Sequence, residues 1–125
     1  MNLTPSGTVI LIDSDVRTSH LIEKWFISKG IPIIVYYSAK KAIYDLTSEE
    51  CPITNVSLII TEMFLPGQLS GKEVVDILRS RYTQAQCLIV VNRPITMDSD
   101  FLSKELGYRF VSAESAPLIL KTIIE

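Results

Sequence analysis

Ser57-Leu58-Ile59-Ile60-Thr61-Glu62, followed by Met63-Phe64-Leu65-Pro66-Gly67, is the stretch from which the fold can be read. Leu58 to Ile60 is a continuous aliphatic run, the pattern of a strand covered on both faces in a parallel sheet. The run ends in a carboxylate, and a proline follows four residues later. Gly71-Lys72-Glu73-Val74-Val75-Asp76-Ile77-Leu78-Arg79 then places Val74, Val75, Ile77 and Leu78 at helical spacing. Strand, loop and helix follow one another as a single β-α unit.

The same unit recurs on either side. Apolar runs at Val9–Ile12, Ile33–Tyr36, Leu88–Val91 and Phe110–Val111 predict four more strands. Pro32 precedes the second, a position proline tolerates at a strand start or sheet edge. Four further helices are expected. The first runs from about Asp15 to Lys29, turns Val16, Ile22, Phe26 and Ile27 inward, and stops at Gly30. The second runs from about Ser38, its N-cap, to Thr47, with Ala42, Ile43 and Leu46 apolar. The fourth follows Asp98 or Ser99, carries Phe101, Leu102 and Leu106, and ends at Gly107. The fifth starts near Ser115 to Pro117 and presents Ile119, Leu120, Ile123 and Ile124. Five β-α alternations imply a single doubly wound parallel sheet with right-handed crossovers. Ligand chemistry in such a sheet gathers at the carboxyl ends of the strands, where the strand order reverses.

Composition narrows the function. With 125 residues the chain is one domain with room for a real core. Twelve basic against fourteen acidic residues, with no basic block, give no footprint for nucleic acid. No apolar run approaches the ~20 residues that span a bilayer, and the N-terminus lacks the regions of a signal peptide. Cys51 and Cys87 stand far apart and read as thiols of a reducing cytoplasm. Nucleotide-binding glycine loops and nucleophile elbows are missing, and one histidine offers little for acid–base work, so no enzyme is expected.

The acid-terminated third strand, the Pro-Gly loop, the Gly-x-Glu start of the third helix and the Ile10-Leu11-Ile12-Asp13-Ser14-Asp15 run together resemble the receiver domains of response regulators, the CheY-like family. The resemblance covers roughly Thr8 to Ile124. It implies a flavodoxin/CheY-like α/β fold with five strands in the order 2-1-3-4-5 and five helices, one receiver-like domain over 1–125 with its core at about 8–124. In that family an acidic pair after strand one and an acceptor aspartate after strand three hold Mg²⁺. A Ser or Thr after strand four and a Lys after strand five contact the phosphoryl oxygens.

Taken residue by residue, the resemblance implies a degenerate phosphorylation site. Ser14 stands where the second acid of the pair belongs, and Mg²⁺ relies on one or two carboxylates in near-ideal octahedral geometry. Asp15 opens the first helix and is expected to point elsewhere, as its N-cap. Glu62 stands in the acceptor position, with a carboxylate displaced by about 1.5 Å. In-line transfer depends on placement, where a 1 Å error costs on the order of a hundredfold. Asn92 replaces the Ser or Thr, Arg93 replaces a small residue, and the lysine position falls on Ser112 or Ala113. No lysine lies between Lys104 and Lys121. The loop Pro66-Gly67-Gln68-Leu69-Ser70-Gly71 has one residue more than usual. Of the five site positions only Asp13 is retained, so Mg²⁺ binding is expected to be weak or absent, with no other metal or cofactor.

Glu62 has two readings: a standing charge that imitates phosphoaspartate, with one charge for the roughly −1.5 to −2 of a phosphoryl group, or a residual carboxylate paired for electrostatic reasons. The second is preferred, with an ion pair to Arg93 expected across adjacent strand ends. Asp13 reads as a hydrogen-bonded structural group. His20 and Glu23 have the spacing of a metal clip, but an ordinary helix residue is the simpler reading of His20. Trp25 reads as core or interface, Phe110 as core or as the family's switch aromatic, and Arg79 and Arg81 as a solvated helix face.

The chain is therefore expected to be a pseudo-receiver of a bacterial signal-transduction or transcription regulator, acting by protein–protein interaction without conventional phosphorylation. By the resemblance, a protein partner, an effector domain or a second copy would use the face of helix four, strand five and helix five, with Phe101, Lys104, Glu105, Tyr108, Arg109, Leu118 and Lys121 as candidates. With the fifth helix reaching Glu125, no effector domain is expected within the chain. Two alternatives are a working phosphorelay receiver that uses Glu62, and a small flavodoxin-like cofactor binder. The latter needs a phosphate loop after strand one, where Asp13 and Asp15 would repel phosphate.

Overall fold

A computed structural model describes residues 7–62, 69–91 and 109–112, with Val91 and the last four by backbone alone. The elements run β1 (Thr8–Ile12), α1 (Val16–Ser28), β2 (Ile33–Tyr36), α2 (Ala39–Leu46), β3 (Val56–Glu62), α3 (Gly71–Arg79), β4 (Gln86–Val91) and β5 (Arg109–Ser112). The fourth and fifth expected helices lie outside the described residues. The strands form one sheet in the order β2-β1-β3-β4-β5, every pair parallel. Chain order reverses direction at β1, which lies between β2 and β3, so the switch point falls at the tops of β1 and β3.

The aliphatic runs fill both faces because side chains alternate along a strand. Val9, Leu11, Leu58, Ile60, Leu88 and Val90 pack on one side with Ile22 and Phe26 of α1. Ile10, Ile12, Ile59 and Ile89 pack on the other with Ala39, Ala42 and Leu46 of α2 and Val74, Val75 and Leu78 of α3. Ile12 is in register with Thr61, so Asp13 follows at the top of β1 beside Glu62 at the top of β3. Both acids continue the alternation of the α1 side, Asp13 after Leu11 and Glu62 after Ile60. Their carboxyl groups are thereby sent to the same face.

The helix ends follow local chemistry. Asp15 caps α1, accepting from the Arg17 amide at 3.0 Å, and Gly30 closes it with φ of +71°, a conformation open to glycine. Ser38 caps α2, accepting from the Lys41 amide. Ser70 and Glu73 form a reciprocal capping box at α3. The Gly-x-Glu start of that helix is therefore a folding signal.

Two expectations need correction. Val16 and Ile27 do not turn inward, being 63% and 62% exposed. At about 100° per residue, Ser19, Ile22 and Phe26 share one narrow stripe, and the other two sit roughly 90–110° off its centre. Arg81 is not a solvated side chain either. Its guanidinium donates to the carbonyls of Ser48 at 2.6 Å and Cys51 at 3.3 Å. The neighbouring Tyr82 hydroxyl donates to the Ile53 carbonyl at 2.9 Å, and burial pushes its pKa up to about 12. Together they clasp the α2–β3 connection to the end of α3. Cys51 and Cys87 are free thiols; Cys87 is buried, and burial raises its pKa to about 11. At neutral pH it is a small hydrophobe with little thiolate character.

Candidate functional site at the strand ends

Asp13 and Glu62 are 1% and 3% exposed. Two carboxyl groups removed from water need donors, because isolated buried charge is costly. Ser14 supplies them to Glu62. Its backbone N–H donates to Glu62 Oε1 at 2.6 Å, and its hydroxyl donates to the same oxygen through a short contact. Oε1 thus has both lone-pair directions taken by one residue. Asp13 Oδ1 accepts from the Asp15 backbone N–H at 2.8 Å, and the Glu62 carboxyl is near enough to act on its charge.

The electrostatics follow from this packing. Burial raises the pKa of Asp13 to about 7; the Asp15 N–H opposes the shift, while the charges of Glu62 and Asp15 add to it. Asp13 is therefore the carboxyl whose proton is held toward neutrality, while Ser14 directs its two donors at Glu62. Asp15 behaves oppositely. Bonds from the Thr18 hydroxyl and the Arg17 amide hold its pKa below the ordinary value, as befits an exposed cap.

Of the seven residues expected at the degenerate site, the structure brings Asp13, Ser14 and Glu62 together. Asn92, Arg93 and Ala113 lie outside the described residues, and with them the expected Glu62–Arg93 ion pair. Ser112 ends β5, in register with Val91. On the proposed interaction face, Arg109 begins β5 opposite Leu88, while Phe101, Lys104, Glu105, Tyr108, Leu118 and Lys121 lie outside the described residues. Phe110 is in register with Ile89. His20 is exposed on α1, and no three acidic, histidine or cysteine groups converge on a metal position among the described residues. Trp25 packs edge-on against Phe26, ring centroids 5.1 Å apart, with the Lys29 ammonium 5.6 Å over its ring. It belongs to the margin of the core.

Sequence reasoning treats Ser14 only as a lost metal ligand and misses its role as a donor. The available signal is positional. A hydroxyl residue between a strand-ending acid and a helix-capping acid has its N–H and Oγ free to turn toward the neighbouring strand end.

No protein-family model and no curated protein matches the chain. Solved structures do. The receiver domain of response regulator 1452 from Francisella superposes with a TM-score of 0.71 at 19% identity, covering 93% of each chain. The receiver domain of an HD domain-containing protein from Pseudomonas fluorescens gives 0.68 at 19% identity, covering 94% of each. A response regulator receiver domain protein from Clostridium thermocellum gives 0.70 at 16% identity, again covering 94% of each. At these identities the likeness establishes the fold, that of CheY-like receivers.

Proposed function

We propose that the chain is a pseudo-receiver, a CheY-like module that works through protein contacts and does not take phosphate on its third-strand acid. The observation that carries this reading is the saturation of Glu62 Oε1 by the Ser14 amide and hydroxyl. A phosphoacceptor needs a free carboxylate oxygen aligned for in-line attack, with Mg²⁺ shielding the charge. Here Oε1, one of the two carboxylate oxygens, is engaged, the second acid is a serine, and burial holds the proton of the remaining acid up to about pH 7. The donor set around Asp13 and Glu62 fits Mg²⁺ poorly. Ser14 offers Glu62 hydrogens where a metal site would offer it a cation.

On this reading the module is non-enzymatic and belongs to a signalling or transcription regulator in the cytoplasm. Its partner, a protein, an effector domain or a second copy, would dock on the face of helix four, β5 and helix five. No described helix is long and apolar enough to cross a membrane. Incubation with acetyl phosphate and Mg²⁺, followed by intact mass, tests the reading. The mass is expected to stay unchanged, and a stoichiometric gain of one phosphoryl group would establish the rival, a working receiver using Glu62.

A further inference from the structure

β2 stands at one end of the sheet and pairs with β1 alone among the described residues. Two hydrogen bonds fix its inner side. The Val9 N–H donates to the Pro32 carbonyl at 2.9 Å, and the Asp13 N–H to the Tyr36 carbonyl at 3.0 Å. Backbone groups alternate along a strand, so Pro32, Ile34 and Tyr36 face β1, while Ile33 and Val35 turn their N–H and C=O outward. Edge strands are ordinarily blunted by a charge, a bulge, or a proline whose missing N–H lies on the open side. Here the stretch 31–38 carries no charged residue, and β2 keeps an unbroken register with β1. The N–H that Pro32 lacks would have faced β1, so both outward donors survive.

The helix beside this edge is apolar on the same side. Trp25 packs with Ile33 and Val35 on the α1 face of the core. Leu21, one turn earlier, shares the side of Trp25 and is 69% exposed. On the other face of the sheet Asp45, which acts on the Tyr36 phenol, is already paired with Lys41 at 3.3 Å.

We propose that β2 is the seam of a homodimer, in which a second copy lays its own β2 antiparallel to this one and the two sheets become continuous. A two-fold axis through Ile34, perpendicular to the sheet, sets Ile33 opposite Val35 of the second copy, and Val35 opposite its Ile33. Both are hydrogen-bonded pairs that exchange two bonds each, with Ile34 against its own image between them. The fit to a second copy, over another extended chain, lies in this self-matching: an uncharged β-branched strand can meet its own image, as an isologous contact requires. The axis also reverses α1, so the Lys29 ammonium of each copy lies toward the end where Asp15 and Arg17 offset each other. Leu21 and Trp25 supply apolar area that a short strand pair lacks. This seam is at the opposite edge of the sheet from β5 and calls on no phosphate chemistry.

Sedimentation and light scattering of the whole chain should give twice the chain mass, falling to one copy on dilution. Amide hydrogen exchange by NMR locates the contact. The Ile33 and Val35 amides are expected to exchange slowly where the dimer predominates and to lose that protection on dilution. The Ile34 and Tyr36 amides, which face β1, should stay protected at both concentrations. Val35→Pro removes one outward N–H and no bond to β1, and Leu21→Lys sets like charges near the seam from an exposed position. Each should raise the dimer dissociation constant roughly tenfold or more with an unchanged circular dichroism spectrum. A chain that stays single up to NMR concentrations overturns the proposal. So does a dimer whose Ile33 and Val35 amides exchange freely, or protection of those amides that does not vary with concentration. All three are read on the wild-type chain, so none depends on a variant folding.

Discussion

Raising the pH from 5 to 8 should destabilise this domain, and the size of the loss follows from Asp13. Folding lifts the pKa of that carboxyl from 3.8 to about 7, mainly by burial. Between those values the folded state holds a proton that the unfolded state has released. Stability therefore falls as pH rises, is lost through the folded pKa, and is flat above it. At about 1.36 kcal/mol per pH unit, the two units below 7 are worth about 2.7 kcal/mol. With urea slopes of ~1–3 kcal/mol/M, the unfolding midpoint should drop by roughly 1–3 M between pH 5 and pH 8. Trp25, the single tryptophan, is half-buried against Phe26 and reports unfolding by fluorescence. Asp15 has the opposite sign, because its lowered pKa stabilises above the ordinary carboxylate range and is lost in acid. It leaves the window between pH 5 and 8 to Asp13. Asp13→Asn should flatten the profile, and Glu62→Gln should shrink the slope without abolishing it, since burial, the largest cause, remains. A wild-type midpoint that stays level or climbs from pH 5 to pH 8 would refute the argument.

Three other perturbations probe the scaffold under the site. Ser70→Ala removes one half of the capping box at α3 and should cost about 1 kcal/mol in urea unfolding. Tyr82→Phe removes the hydroxyl that holds the Ile53 carbonyl, and should cost about 1–3 kcal/mol while amides of the α2–β3 connection exchange faster with solvent. Gly30→Ala has open space around the new methyl but a φ of +71°, so the expected loss of about 1 kcal/mol is one of backbone conformation and should appear in the melting temperature with no change in core packing.

The architecture is legible in the sequence because its signals are local. Runs such as Val9–Ile12 and Leu58–Ile60 can be covered on both faces only in a parallel sheet, and they split into the two core clusters by simple alternation. Caps are equally plain, as Asp15, Ser38 and Gly30 do what their side chains, or lack of one, allow. Val16 and Ile27 depart from expectation because an apolar residue on a helix need not be a core residue. Only the angular position relative to Ile22 and Phe26 distinguishes a buried aliphatic from an exposed one. The Arg81–Tyr82 clasp escapes for a different reason: its acceptors are backbone carbonyls some thirty residues away in sequence, which leave no mark on composition or spacing.

The site itself is half legible, and the missing half changes its meaning. Counting anions along the sequence treats Ser14 as a deficit, one carboxylate fewer for a metal. In the folded chain the same substitution also adds two donors, and both fall on Glu62 Oε1. A carboxylate given donors by its own protein has less need of Mg²⁺ or of an arginine to survive burial. Glu62 reaches Ser14 across the strand ends, and on the pseudo-receiver reading its extra methylene, which would misplace a phosphate acceptor, is also what lets it meet those donors. On the same reading, serine at 14 and glutamate at 62 belong together: the Ser14 amide and hydroxyl meet a Glu62 charge that would otherwise call for a cation.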